Sequence, residues 1–214
     1  MKTLLARVVA TLLLAAACGA AFAQAGVPNV GREYRVLNPP RPVTTGPRIE
    51  VIEFFYYGCP VCYEAQPHIA RWLMTTGSDV VLRRIPATTA ESGEAFALTF
   101  YALESAGLLA RLHWPLYDNH HFDDMRLHEE KNLLAWLGRS GVDAERFRAL
   151  RNSADVKARV AAGQKVFELY DVRGVPTFAV DGKYITSATM ARGVPQLMKV
   201  VEHLVGLART DRRR

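Results

Sequence analysis

Ile49-Glu50-Val51-Ile52-Glu53-Phe54-Phe55-Tyr56, followed almost at once by Cys59-Pro60-Val61-Cys62, constrains the fold more than any other stretch of this chain. The run is β-branched and aromatic, and apolar on both faces apart from Glu50 and Glu53. That is the pattern of a strand covered on both sides. From Pro60 to about Thr75 the pattern turns helical. Pro60 is acceptable in a first turn, and Pro67 predicts a kink. The spacing puts two sulfurs one helical turn apart, close enough to close a disulfide. The first lies at the helix N-terminus, where unpaired N–H groups and the macrodipole favour a thiolate. A strand that ends in C-x-x-C and turns into a helix is a redox device.

Two other uses of the pair compete with that reading. Half a zinc site would need two more soft or imidazole ligands, and the chain has only three cysteines. A permanent structural disulfide across three residues closes a very small loop, so it restricts the unfolded chain little. The redox role makes better use of the position.

Residues 1–23 read as a signal peptide. Lys2 and Arg7 precede an apolar run from Val8 to Ala17, and Ala21-Phe22-Ala23 offers a cleavage site before Gln24. Ala15-Ala16-Ala17-Cys18 is a weaker, lipoprotein-type site whose acylation would tether the chain to a membrane; the cleaner Ala-x-Ala site is expected to remove Cys18 with the signal. No later segment approaches the roughly 20 apolar residues of a spanning helix. Export to an oxidising compartment is therefore expected, where disulfides persist. Losing Lys2 and Arg7 takes the net charge from +6 to +4. Basic and aromatic residues do not interleave as in a nucleic-acid binder. The basic tail at 209–214 reads as a frayed, solvated end.

Tyr34 to Leu37 suggests a short edge strand, and the prolines from Pro39 to Pro47 forbid regular structure. Asp79 to Pro86 reads as a second buried strand. From Ser92 to about Tyr170 the pattern is helical: Phe96, Phe100 and Leu103 share a face, Leu133, Leu134 and Leu137 form a stripe ended by Gly138, and Asp143 can cap a helix. Val156, Val160, Gly163 and Phe167 mark a longer one. Strand character returns at Thr177 to Val180, and Asp181-Gly182 signals a hairpin into Lys183 to Thr186. A last helix starts near Pro195. The expected architecture is α/β, with a helical domain at 92–170 inserted into a discontinuous sheet domain at 24–91 and 171–208.

Gly174-Val175-Pro176-Thr177 adds a second signal. A proline between a Gly turn and a strand is a candidate for a cis peptide bond. Its missing N–H leaves the preceding backbone groups free to pair with an extended peptide. Together with the strand, C-x-x-C and helix upstream, this chain resembles the thioredoxin superfamily, and within it the DsbA family of periplasmic thiol–disulfide oxidoreductases. Val51 to Phe55, Cys59-Pro60-x-Cys62, Pro67, Arg173-Gly174-Val175-Pro176 and Asp181 to Tyr184 carry the resemblance, which spans about Val30 to Leu207.

The resemblance implies a thioredoxin fold with an inserted all-helical domain, a cis Pro176 facing Cys59, and a peptide groove formed in part by Val175 and Pro176. It implies that Cys59 is the exposed nucleophile, Cys62 the buried resolving partner, and Glu53 a buried carboxylate that moves protons. The alternative for Glu53 is a structural acid paired with a Lys or Arg; an unpaired buried charge would be costly. By the same resemblance, Pro60 and Val61 would be the residues that tune the potential. The family commonly has histidine where this chain has Val61. Valine can neither donate a hydrogen bond nor carry charge, so Cys59 is expected to be acidified less strongly and the protein to be a weaker oxidant.

The expected activity is donation of the Cys59–Cys62 disulfide to exported, unfolded polypeptides, by a monomer with no soluble cofactor and no metal. Reoxidation would come from a quinone-linked inner-membrane partner resembling DsbB. A periplasmic reductase or isomerase is the enzymatic rival, although the short segment before the central strand leaves no room for an isomerase's dimerisation domain. A chaperone-like peptide-binding module with a structural disulfide is the non-enzymatic one. His120-His121 with Asp118, Asp123 and Asp124 could be drawn as a metal cluster but reads better as a solvated loop. His68 and His113 read as surface or packed helix residues. Trp72, Trp114 and Trp136 read as core or inter-domain packing.

Overall fold

The structure, a computed structural model, describes residues 27–214. The expected signal peptide, its cleavage site and Cys18 lie outside them. Five strands form one sheet: β1 (Arg35–Val36), β2 (Ile49–Phe55), β3 (Val80–Pro86), β4 (Thr177–Val180) and β5 (Tyr184–Ser187), in the order β1-β5-β4-β2-β3. β2 pairs in parallel with β3 and antiparallel with β4. α1 (Pro60–Thr75) makes the crossover between β2 and β3. After β3 come five helices: α2 (Gly93–Ser105), α3 (Leu109–His121), α4 (Glu130–Arg139), α5 (Ala144–Arg151) and α6 (Ala154–Leu169). The chain then returns to β4 and β5, and ends with α7 (Ala188–Ala191) and α8 (Val194–Asp211). This is a thioredoxin fold carrying an inserted helical domain.

All seven residues of β2 are buried, as its two-faced apolar pattern requires. One face meets α1 and α8 through Val51, Ile69, Trp72, Leu197 and Val201. Ile52 and Phe54 on the other face pack on Phe167 and Tyr170 at the end of α6. Beyond these, Phe55 and Tyr57 run into the aromatic core of the insert, beside Phe100 and Tyr117. Each such aromatic removes enough apolar surface from water to contribute about 1.5–3 kcal/mol. Cys62 belongs to the same buried cluster. The insert is therefore anchored on the end of the strand that delivers the cysteines.

The hairpin forms at Asp181 and Gly182, both with positive φ, and Lys183 N–H donates back to the Val180 carbonyl. A Cβ at position 182 would collide with the Arg41 carbonyl, so glycine is required there on two counts. Asp143 caps α5 by accepting the Arg146 N–H at 3.0 Å. α1 continues through Pro67 without a break.

Two expectations need correction. β3 is an edge strand and only its last two residues are buried, because it carries Arg83 and Arg84 toward solvent and toward the carboxylates of β2. The basic tail is not frayed where it begins. α8 runs on to Asp211, Arg209 holds Asp79 at 2.8 Å, and Arg212 holds Asp181 at 2.7 Å. These ion pairs tie the C-terminus to the start of β3 and to the hairpin.

Candidate active site

Cys59 is the N-cap of α1, with Pro60 and Val61 opening the helix. Its Sγ accepts the Cys62 N–H at 3.3 Å, so the sulfur satisfies one of the unpaired donors at the helix end. Both cysteines are free thiols; Cys59 is half-buried and Cys62 fully buried. The Cys59 thiol is acidified from an ordinary 9.0 to about 6. A hydrogen bond from the Cys62 thiol is the largest cause; partial burial opposes it, and the Cys62 and Val61 N–H groups add to it. The helix end, expected from the sequence to be the main cause, takes second place to the neighbouring thiol. Cys62 moves the other way. Burial foremost, and then the adjacent sulfur, push its pKa far up, so it stays protonated. At neutral pH only Cys59 presents a thiolate.

The Val175–Pro176 bond is cis, and Cys59 Sγ lies 3.7 Å from the Val175 carbonyl. Among the described residues the Val175 N–H has no acceptor. Val175, Pro176 and Thr177, together with Arg35, Ser187 and Met190, line an open cavity of about 590 Å³. A second cis bond, Asn38–Pro39, lies in a segment whose sequence marks only irregularity.

Beneath the cysteines, Glu53 is fully buried. Gln66 Nε2 donates to Glu53 Oε1 at 3.0 Å and to the Cys62 carbonyl at 3.3 Å. Arg84 Nε donates to Glu53 Oε2 at 2.8 Å. The structural alternative for Glu53 is thus present, as an ion pair, and the same carboxylate is joined through Gln66 to the backbone of the buried cysteine. Neither Arg84 nor Gln66 stood out in the sequence. The usable signal was two arginines inside an otherwise apolar strand, and the parallel register places Arg84 directly beside Glu53.

The histidines also depart from expectation. His120 and His121 are not on a solvated loop but close α3, half-buried against the active-site loop. His121 Nε2 donates to the Tyr57 carbonyl at 2.7 Å and its ring stacks on Tyr63. His120 packs on Phe96 and His128, and burial lowers its pKa to about 4. Asp118 accepts the Tyr63 hydroxyl at 2.7 Å. Among the described residues no group of three or more His, Cys, Asp or Glu is placed to hold a metal. His113 is packed, with Nδ1 2.6 Å from the Tyr57 hydroxyl, and His68 is half-buried on α1. Trp72 and Trp136 are core residues, whereas Trp114 is 44% exposed and stacks on Tyr63 across the two parts of the fold.

The model of the DSBA-like thioredoxin domain matches residues 50–205. The chain belongs to the DsbA family. Thiol:disulfide interchange protein DsbA of Burkholderia cepacia is 32% identical over 213 residues, covering 96% of each chain. The DsbA of Pseudomonas aeruginosa is 34% identical over 196 residues, with 92% of each covered. Its crystal structure superposes with a TM-score of 0.82 at 32% identity, covering 87% of this chain and 97% of that one. Like the rest of the family, the chain is a thiol:disulfide oxidoreductase whose reactive group is a pair of cysteines.

Proposed function

We propose that this DsbA family member is a periplasmic oxidant that donates a Cys59–Cys62 disulfide to newly exported proteins. The observation that carries the reading is the division of labour within the pair: an accessible, acidified Cys59 at the helix cap and a buried, protonated Cys62 one turn in. In the oxidised protein a substrate thiolate attacks Cys59 Sγ, and the electron pair of the broken S–S bond leaves on Cys62, which takes up a proton. The substrate's second thiolate then attacks its own sulfur in the mixed disulfide. Cys59 leaves as a thiolate, and two electrons have passed from substrate to enzyme. A leaving group that is stable as a thiolate favours donation.

Glu53, held by Arg84 and Gln66 below Cys62, is the residue we assign to moving the proton that Cys62 gains and loses. Val175 and Pro176 form the surface on which an extended substrate segment pairs, using the unengaged Val175 N–H. Pro60 and Val61 set the thiolate environment. The sheet domain comprises 24–91 and 171–208, the helical insert 92–170, and 1–23 a cleaved signal. No soluble cofactor takes part. Reoxidation falls to a membrane partner of the DsbB kind; among the described residues no helix is long and apolar enough to cross a membrane.

The test is a trap. Cys62→Ala expressed with its signal should accumulate mixed disulfides with exported proteins, resolved by reductant on gels. If none accumulate while Cys59 remains alkylatable, the catalytic reading fails and the peptide-binding module stands.

A further inference from the structure

Between α1 and α3 lies a second cavity, of about 560 Å³, which shares no lining residue with the Pro176 groove. That volume lies within the range of small-molecule sites. Pro67 and Leu73 of α1 and Leu109 and Trp114 of α3 line it, and Gln66, Arg84 and His113 contribute the polar part of its lining. Arg84 spends only its Nε on Glu53. Among the described residues its two terminal nitrogens make no hydrogen bond, and the side chain is 24% exposed.

His113 adds ring surface to this lining and no accessible donor. Its Nδ1 meets the Tyr57 hydroxyl, while its Nε2 is buried with no partner. Burial holds Tyr57 as a phenol and His113 as a neutral ring. With the phenol donating to Nδ1, the ring proton sits on Nε2 as an N–H that lacks an acceptor. Recognition falls to Arg84, because a planar guanidinium with two free nitrogens matches a carboxylate in two-point geometry. The surrounding walls are aromatic and aliphatic.

We propose that the cavity between α1 and α3 binds a small amphipathic carboxylate, its head on the free terminal nitrogens of Arg84 and its apolar body against Leu73, Leu109 and Trp114. The site is separate from the Pro176 groove, yet its head group lies one residue away from Glu53 through Arg84. Occupancy would therefore be felt at the buried side of the cysteine pair.

The experiment titrates the mature protein, reduced, with 4-phenylbutyrate and in parallel with 4-phenylbutan-1-ol, which keeps the body and removes the charge. The Trp114 indole signal in ¹H–¹⁵N spectra is followed, assigned with Trp114→Phe. The acid should shift that signal saturably, and the alcohol should bind about tenfold more weakly or worse, as expected for losing a charge-assisted hydrogen bond. Ala110→Trp, which fills the cavity from α3, should abolish the shift. Arg84→Lys keeps a cation for Glu53 but has no spare fork, so the preference for acid over alcohol should collapse. No saturable shift, equal binding of acid and alcohol, or binding that survives Ala110→Trp or keeps its acid preference in Arg84→Lys would each overturn the proposal. The redox activity of the protein is not needed for any of these readouts.

Discussion

Cys59 and Cys62 lie three residues apart on one helix, yet the outer and inner sides of their motif are built on different physics. On the outer side the chemistry is local. The helix cap, the Cys62 thiol and two backbone N–H groups stabilise a thiolate on a half-buried sulfur. On the inner side it is assembled from distant parts of the chain. Cys62 is sealed among Phe55, Tyr57 and Tyr117, over a carboxylate held by Gln66 of α1 and Arg84 of β3. Hydrogen bonds to the sulfur decide one pKa, desolvation the other. The difference teaches that a C-x-x-C motif supplies the spacing, while its asymmetry comes from which sulfur the tertiary fold covers.

The largest expected effect tests that asymmetry directly. Native reduced protein at neutral pH should be alkylated by iodoacetamide on Cys59 alone, and in denaturant on both cysteines, as peptide mass mapping would show. Equal native labelling of Cys62 would mean that the inner side is open, and the comparison would break.

Next in size is the inner ion pair. Arg84→Met leaves Glu53 fully buried without its cation and should cost about 3 kcal/mol in denaturant unfolding of the oxidised form, the usual order for breaking a buried pair. Removing both charges, with Glu53→Leu added, should restore most of that loss. A single-variant cost below about 1 kcal/mol would show the pair to be solvent-relaxed, and Glu53 then loses its claim to be held in place.

How much of this was legible in the sequence divides along the same line. The outer side could be read from one contiguous run, because strand, turn, cap and cysteines follow each other within 49–62, and Val175-Pro176 announced the opposing wall. Helix pattern and the Asp181-Gly182 hairpin sufficed for the insert and the return strands. The inner side could not be read this way. Arg84 reaches Glu53 only through the parallel register of β2 and β3, and nothing in the neighbourhood of Arg84 specifies that register. His120 and His121 resembled a polar loop because their burial comes from Tyr57, Phe96 and Tyr63, which are far away in sequence. The tail looked frayed because its acidic partners, Asp79 and Asp181, are contributed by other elements.

A smaller effect, on pH, sharpens the outer side. Folding lowers the Cys59 pKa from 9.0 to about 6. A depressed pKa stabilises the folded reduced form fully above the unfolded value, and that stabilisation is lost as pH falls through the folded one. The oxidised form has no thiol to titrate. The melting temperature of the reduced form minus that of the oxidised form should therefore be largest near pH 9 and shrink toward pH 6. A difference that is flat across that window would remove the thiolate as the reason for a stable reduced state. A reduced form less stable than the oxidised one throughout would favour the reductase reading over the oxidant.

The smallest expected change is at Val61, which is 40% exposed beside the Cys59 sulfur and supplies only its backbone N–H. Because the thiolate already draws on the Cys62 thiol and two N–H groups, a side chain here adjusts an acidity that others establish. Val61→His would add a donor that can reach the sulfur from solvent, lowering the Cys59 pKa further and raising the reduction potential. Each tenfold shift in the exchange equilibrium corresponds to about 30 mV, and a change of roughly that size is expected in a glutathione-buffered titration. The thiolate ultraviolet absorbance of the same variant should titrate at lower pH than the parent. If the potential rises while the thiolate midpoint stays in place, Val61 acts on the oxidised state instead. If neither moves, the outer side is governed wholly by the helix end and the second cysteine.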